Sequence, residues 1–369
     1  VWTKHGFDPK YGADGRPDGP VCIAGTDYSV FTRKGDPKKL LIFLQGGGAC
    51  WQGFYNCNVL AEAQFPPQNG PFPGVFDPNM PDNPFADYSV VYMPYCDGST
   101  FGGDNDVNDP AFPGGTRYHR GLRNVSAGMD VAKDMFPRAK QITVMGHSAG
   151  GVGAAAFAPF LTRFVFGNNT KLTVYNDAGP IAVNLGTGSP PFACADFSCF
   201  SVVARAFDWQ FQQFYPQSCI DDGRCNPFGQ QTGIIDWRLE NASTIREGFY
   251  ETDSDRTNRF FAQGDGSLMD PLVYRDLILT EHGKLHEAYP RRYKRFIVSG
   301  DDTHGAVQVT AGTPNFSENP LAFYTQEANG TPLTKWASEL VRIGQRQSRF
   351  GLSHIHISEP TRLRRKSRM

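Results

Sequence analysis

"QITVMGHSAGGVGAA", residues 141–155, reads as an apolar run, a turn crowded with glycine and a segment of small residues. The run "QITVMG" (141–146) has the length and Val/Ile content of a strand covered on both faces. The residues after it suit a helix in size, but glycine at a helix start weakens it, so Gly146, Gly150, Gly151 and Gly153 need a reason. The reason offered by the pattern is Ser148. G-x-S-x-G between a strand and a helix is the sharp turn that holds a nucleophilic serine exposed, with flanking glycines because no Cβ fits there. The helix start also places partial positive charge beside the hydroxyl.

Outward from this turn, short apolar runs alternate with helix-like segments. Strands are predicted at 39–45, 88–94, 141–146, 171–177, 259–263 ("RFFAQ") and 294–300, and helices near 118–136, 149–166, 201–214, 271–281 and 333–345. That alternation predicts an α/β protein of α/β-hydrolase-like type, with a mostly parallel central sheet flanked by helices and right-handed crossovers. The aromatic, Pro- and Gly-rich stretches 50–87, 97–117 and 178–200 are expected to be long loop excursions that form the cleft. Residues 1–350 read as one catalytic domain. The tail 351–369, aperiodic and basic, reads as non-native and disordered, which removes His354 and His356 from consideration.

The chain has 369 residues, 20% charged and 40% hydrophobic, with a net charge of -1, so it can bury a sizeable core and has no global field for nucleic acid. No apolar stretch approaches the roughly 20 residues of a membrane span; "GAAAFAPFLTRFVF" is interrupted by Pro159 and Arg163. Eight cysteines lack paired C-x-x-C spacing, which argues against structural zinc. The near neighbours Cys50 with Cys57, Cys194 with Cys199, and Cys219 with Cys225 read as small disulfide-closed loops. They imply a secreted, extracellular or periplasmic protein with a leader removed ahead of Val1. Sequons at Asn124, Asn168, Asn241, Asn315 and Asn329 are compatible with secretion.

A serine hydroxyl needs a base, an orienting acid and oxyanion donors. In this fold the acid and then the histidine follow the serine along the chain. His304, in "GDDTHGAV" just past the strand "KRFIVSG", is the expected base. His282 and His286 have i, i+4 spacing but no third ligand, and read as a solvated helix end rather than a metal site. For the acid, Asp265 and Asp270 in "FFAQGDGSLMDPLV" both qualify. Asp301 and Asp302 read as turn caps, and Asp177 as either pocket lining or a turn cap. Ala149 supplies one oxyanion amide. The loop "LQGGGACW" (44–51), with Gly46, Gly47 and Gly48, offers the others and lacks the G-x-x-x-x-G-K-[ST] of a phosphate loop.

Taken in order, "LIFLQGGGACW", "NPFADYSVVYMPYCDGS", "YHRGLRN", "GHSAGGVG" and "NDAGP" resemble the pectin acetylesterase/Notum family of carboxylesterases between residues 41 and 180. The resemblance implies an α/β-hydrolase-like fold, a Ser-Asp-His triad, disulfides, no cofactor and no metal. It implies Ser148 as nucleophile, His304 as base, and Gly47, Gly48 and Ala149 as oxyanion donors. The family's S-x-x-D matches "SLMD" and favours Asp270 over Asp265, although Pro271, Leu272 and Val273 replace the residues that usually follow. Cys50–Cys57 matches a family disulfide, which leaves Cys22 with Cys96. Gly48 and Ala49 stand where the family has an aromatic, so a wider acyl pocket is expected. Trp51, Phe54, Tyr55, Phe101, Phe112 and Asp177 are candidates for lining the substrate site, the aromatics equally for anchoring loops. The substrate implied is an ester: an acetylated polysaccharide, with a polyester or a lipid-type acyl ester as alternatives. A glycan- or lipid-binding protein without activity is the alternative of another class.

Overall fold

The structure is a computed structural model that describes residues 1–13, 15–59, 74–179, 208–211, 215–225, 232–263, 267–307 and 321–342. Its centre is an eight-stranded sheet of β1 (Trp2–Phe7), β2 (Tyr28–Arg33), β3 (Asp36–Leu44), β4 (Tyr88–Met93), β5 (Gln141–His147), β6 (Lys171–Asp177), β7 (Ile245–Thr252) and β8 (Tyr293–Val298), in the order β1-β2-β4-β3-β5-β6-β7-β8. From β4 to β8 every neighbouring pair is parallel, and β1 and β2 add an antiparallel edge. This is the α/β-hydrolase-like sheet that the sequence predicts.

Both faces of the sheet are covered, so its strands alternate between two apolar clusters instead of between core and water. In β3, Leu40, Ile42 and Leu44 face one cluster with Val91, Met93, Val144 and Val174. Leu41 and Phe43 face the other, with Tyr92, Met145, Tyr175, Phe296 and Trp336. The first face is packed by α1 (Gly121–Met135), α2 (Ala149–Ala156) and α3 (Ala158–Phe166), extended by α4 (Thr232–Asn241) and α6 (Pro271–Ala288); α7 (Leu333–Val341) covers the second. Disulfides join Cys22–Cys96, Cys50–Cys57 and Cys219–Cys225. The third small loop expected from the spacing, closed by Cys194 and Cys199, is not among them: Cys194 and Cys199 both lie outside the described residues.

Three sequence expectations change. "RFFAQ" is not a strand; it lies in α5 (Arg256–Gln263), and the strand of this region is β7, which precedes it. The single helix expected over 149–166 breaks at Phe157 and bends by 49°, because Pro159 has no N–H and its ring crowds the preceding turn. The antiparallel strands β1 and β2 were not predicted. Asn124 is buried, its side-chain amide donating to the Val21 carbonyl, so that sequon is not a surface acceptor. Asp265, Asn315, most of the helix expected at 201–214 and the tail 351–369 also fall outside the described residues.

No single helix among the described residues is long and apolar enough to cross a membrane. The bent pair α2–α3 passes on composition, but α2 is the buried helix of the serine turn.

Candidate active site

Ser148 stands between β5 and α2 with φ 56 and ψ -121, a conformation that L-residues adopt only when the surroundings force it. Its amide donates to the Asp177 carbonyl at the end of the neighbouring β6, 2.8 Å away. A Cβ on Gly146 would collide with the Gly150 carbonyl, and one on Gly150 with the carbonyls of Leu44 and Gln45. The glycines are therefore needed for close approach: the helix enters directly over the strand ends, and Ser148 is lifted above them.

The histidine must reach this serine from β8, with β7 and β6 in between. Parallel strands lie about 4.8 Å apart, so the loop after β8 has to run back across the ends of both. Its residues are tied along that path. Ser254 and Arg256 donate their amides to the carbonyls of Asp301 and Asp302, and the Thr252 hydroxyl donates to the Thr303 carbonyl. Ala306 and Val307 then donate their amides to the Asp177 carboxylate. The result sets the His304 ring 5.0 Å, centroid to centroid, from the ring of His147, the residue before Ser148. Gly305, at φ 67, packs on that ring and on the Asp177 carboxylate, where a Cβ would fall 2.7 Å from Asp177 Oδ2. Gly305→Ala is thus expected to destabilise the protein by about 1–3 kcal/mol, read as a lower urea midpoint. An unchanged midpoint would mean that the loop is not held in this way.

The carboxylate on His304 is not the expected one. His304 Nδ1 lies 2.7 Å from Asp255 Oδ2, and Asp255 follows β7, the strand next to the histidine's own. Asp270 instead caps α6: its exposed carboxylate accepts from the amides of Leu272 and Val273 at 2.8 and 3.2 Å, with Pro271 opening the helix. The S-x-x-D pattern in this chain is a helix start. Asp301 accepts from the Thr303 amide, the turn cap predicted for it.

Asp255 is fully buried, and burial raises its carboxyl to about 7 against several donors: the amides of Asn258 and Thr257, and the Asn258 side chain. Glu251 on β7 hydrogen-bonds to it and is also fully buried, pushed far above the usual carboxylate range by desolvation and by the Asp255 charge. Two like acids in one dry site disfavour the state in which both are ionised.

On the other side, the loop after β3 passes against the serine. Gln45 fixes it, its amide donating to the Met93 carbonyl and its side chain accepting from the Tyr95 amide. A Cβ on Gly46 would sit 2.9 Å from Ser148 Cβ. Gly48, at φ 77, opens the hairpin of Gly48–Trp51 and Phe54–Cys57 and faces Phe261 of α5. Gly46 is thus the residue of this loop that packs on the serine; Gly47 packs on Tyr95 and Asn58, Gly48 on Asn56 and Phe261, and Ala149 follows Ser148 at the start of α2.

The candidate lining residues divide. Phe54 contacts Phe260 and Phe261 beside the Gly48 loop. Tyr55 is partly exposed and donates its hydroxyl to Asp109. Trp51 is buried, stacked on Phe54 and edge-on to Trp209, while Phe101 is buried against Tyr95 and Phe112 against Tyr55. Trp51, Phe101 and Phe112 anchor loops, as aromatic bodies in a core do. Asp177 is fully buried and its carboxylate is taken up by His147 Nδ1, at 2.7 Å, and by the two loop amides, so it positions the histidine loop and does not meet substrate.

His282 is fully buried, not solvated. It stacks on Phe249, bonds the Tyr293 hydroxyl, and is held neutral, its value lowered to about 3 by burial. His286 bonds the Tyr293 carbonyl, so the pair serves packing. Among the described residues no three of His, Cys, Asp and Glu are grouped to hold a metal.

The comparisons agree with this architecture. The Pectinacetylesterase family model matches residues 13–183. The palmitoleoyl-protein carboxylesterase NOTUM of Schmidtea mediterranea is 29% identical over 145 residues, 36% of this chain, and the match spans only about a quarter, 26%, of that relative. Two crystal forms of the Wnt deacylase Notum from Drosophila superpose with TM-scores of 0.58 at 16% identity. They cover 85% and 87% of this chain and 87% and 89% of the solved chains.

Proposed function

We propose, for a chain whose residues 13–183 match the Pectinacetylesterase family model, a secreted serine esterase that removes acetyl groups from a polysaccharide. The observation that carries the chemistry is the convergence of a strained serine, a carboxylate-held imidazole and a glycine loop on one rim of the sheet. Secretion is supported by the three disulfides among the described residues, which need an oxidising compartment.

In this reading His304 takes the Ser148 proton as the hydroxyl attacks the ester carbonyl. Asp255 holds the ring through Nδ1, so that Nε2 is the nitrogen that takes the proton, and stabilises the imidazolium that forms. The amides of Ala149 and of Gly47 or Gly48 receive the oxyanion, each such donor being worth about 3 kcal/mol of barrier. His304 returns its proton to the leaving alcohol, and a water activated by the same ring releases acetate from the acyl-enzyme.

Fluorophosphonate labelling together with turnover of p-nitrophenyl acetate, butyrate, octanoate and palmitate tests both parts, run beside acetylated pectin, acetylated xylan and a polyester film. The expected result is labelling at Ser148, fastest turnover of the acetate ester and acetate release from a polysaccharide. Fastest turnover of long acyl chains or of the film would replace the substrate class and keep the chemistry. No label and no turnover would leave a binding protein.

A further inference from the structure

Behind Asp255 the chain builds a second layer that the reaction itself does not touch. Glu251, the penultimate residue of β7, is fully buried. Its Oε2 accepts from the Tyr274 hydroxyl at 2.9 Å and from the Asn258 side chain at 3.0 Å. The same Asn258 amide donates to Asp255 Oδ2 at 3.1 Å, so one side chain spans both acids. Tyr274 comes from α6, Asn258 from α5 and Glu251 from β7, so three elements converge behind the carboxylate that holds His304.

We propose that Glu251 is a positioning residue whose carboxyl group donates a hydrogen bond to Asp255 and fixes that carboxylate against His304. The proposal rests on the reading of Asp255 and His304 as acid and base. The titratable groups facing the pair are His304 and, beyond it, His147; Tyr274 from α6; and Tyr250 on β7. A second ionised carboxyl here would meet the Asp255 charge in a dry site. A neutral donor answers that repulsion. It stabilises the ionised form of Asp255, so its loss raises the pH at which Asp255 protonates and stops supporting His304.

The test compares wild type, Glu251→Gln and Glu251→Leu by p-nitrophenyl acetate turnover across pH and by the low-field Nδ1 proton resonance of His304. Glutamine keeps a neutral N–H donor; leucine keeps only volume. Expected for E251L are a fall in kcat of about tenfold with KM within about twofold, and an acid limb of kcat/KM moved up by about one pH unit. E251Q is expected to stay within about threefold of wild type, with its acid limb unmoved. An E251L protein with unchanged kcat, acid limb and His304 resonance overturns the proposal. Where E251L does not fold, E251Q decides: a loss of more than about a hundredfold means that a charge, not a donor, is required at 251. If wild type turns over no ester, the esterase reading fails, while the His304 resonance in the three proteins still reports whether Glu251 positions Asp255.

Discussion

Ser148→Ala is expected to abolish turnover of p-nitrophenyl acetate, with kcat lower by about 10⁴–10⁶-fold, while binding of an acetylated oligosaccharide stays within about threefold. The asymmetry follows from what the hydroxyl does. In the proposed mechanism it forms a bond only in the reaction, whereas the walls and the proposed oxyanion amides of Gly47, Gly48 and Ala149 meet the substrate beforehand. Residual hydrolysis over water should survive, since those amides remain. The φ of 56 adds a second expectation: alanine at 148 inherits the same strained backbone, held by Gly146, Gly150 and the bond to the Asp177 carbonyl, so stability should change little. A clean S148A protein that hydrolyses the ester at the wild-type rate would remove Ser148 from the chemistry. One that unfolds at markedly lower urea would show that the hydroxyl is structural.

The serine turn was legible because its residues have no other use. Four glycines in eight residues would damage a helix unless backbones must touch, and in the structure they do. The apolar strands β3, β4, β5, β6 and β8 were legible for a related reason: both of their faces are covered, so their composition is continuous Val, Ile, Leu, Phe and Tyr. The strand that leads to Asp255, the proposed acid, was not. In "IREGFYET" the buried face holds Glu247 and Glu251, each fully or almost fully enclosed. Glu247 pairs with Arg238, whose guanidinium also donates to the carbonyls of Ala155 and Ala156 at the far end of the serine helix. Glu251 leans on Asp255. A strand whose buried face is charged looks like a surface segment, and the apolar "RFFAQ" after it, one face of the amphipathic α5, took its place in the reading. Asp255, which bonds His304, follows β7, the strand beside the histidine's own. "ETDSD" directly ahead of a helical pattern was the available signal.

That exchange of strands makes the comparison of two aspartates the sharpest test of the site. Asp255→Asn is expected to lower kcat by about 10³–10⁴-fold. Its amide matches the carboxylate in shape, but where nitrogen replaces Oδ2 it meets His304 Nδ1 as a second donor and turns the ring to the wrong tautomer. Asp270→Ala removes an exposed cap and should cost about 1 kcal/mol, a shift of about 2–4 °C in Tm for a chain of this size, with kcat within about twofold. The pH dependence separates the two roles further. A carboxyl raised by burial, as Asp255 is, takes up its proton in the folded state at a pH where the unfolded chain has already lost it. Folded protein therefore binds more protons than unfolded between about pH 4 and the folded value, and stability falls as pH rises through that window. D255N deletes Asp255's share of this slope and should make it shallower, with the share of the raised Glu251 remaining. If D270A loses activity and D255N keeps it, the bond between Asp255 and His304 is packing only, and the acid must be sought again around α6.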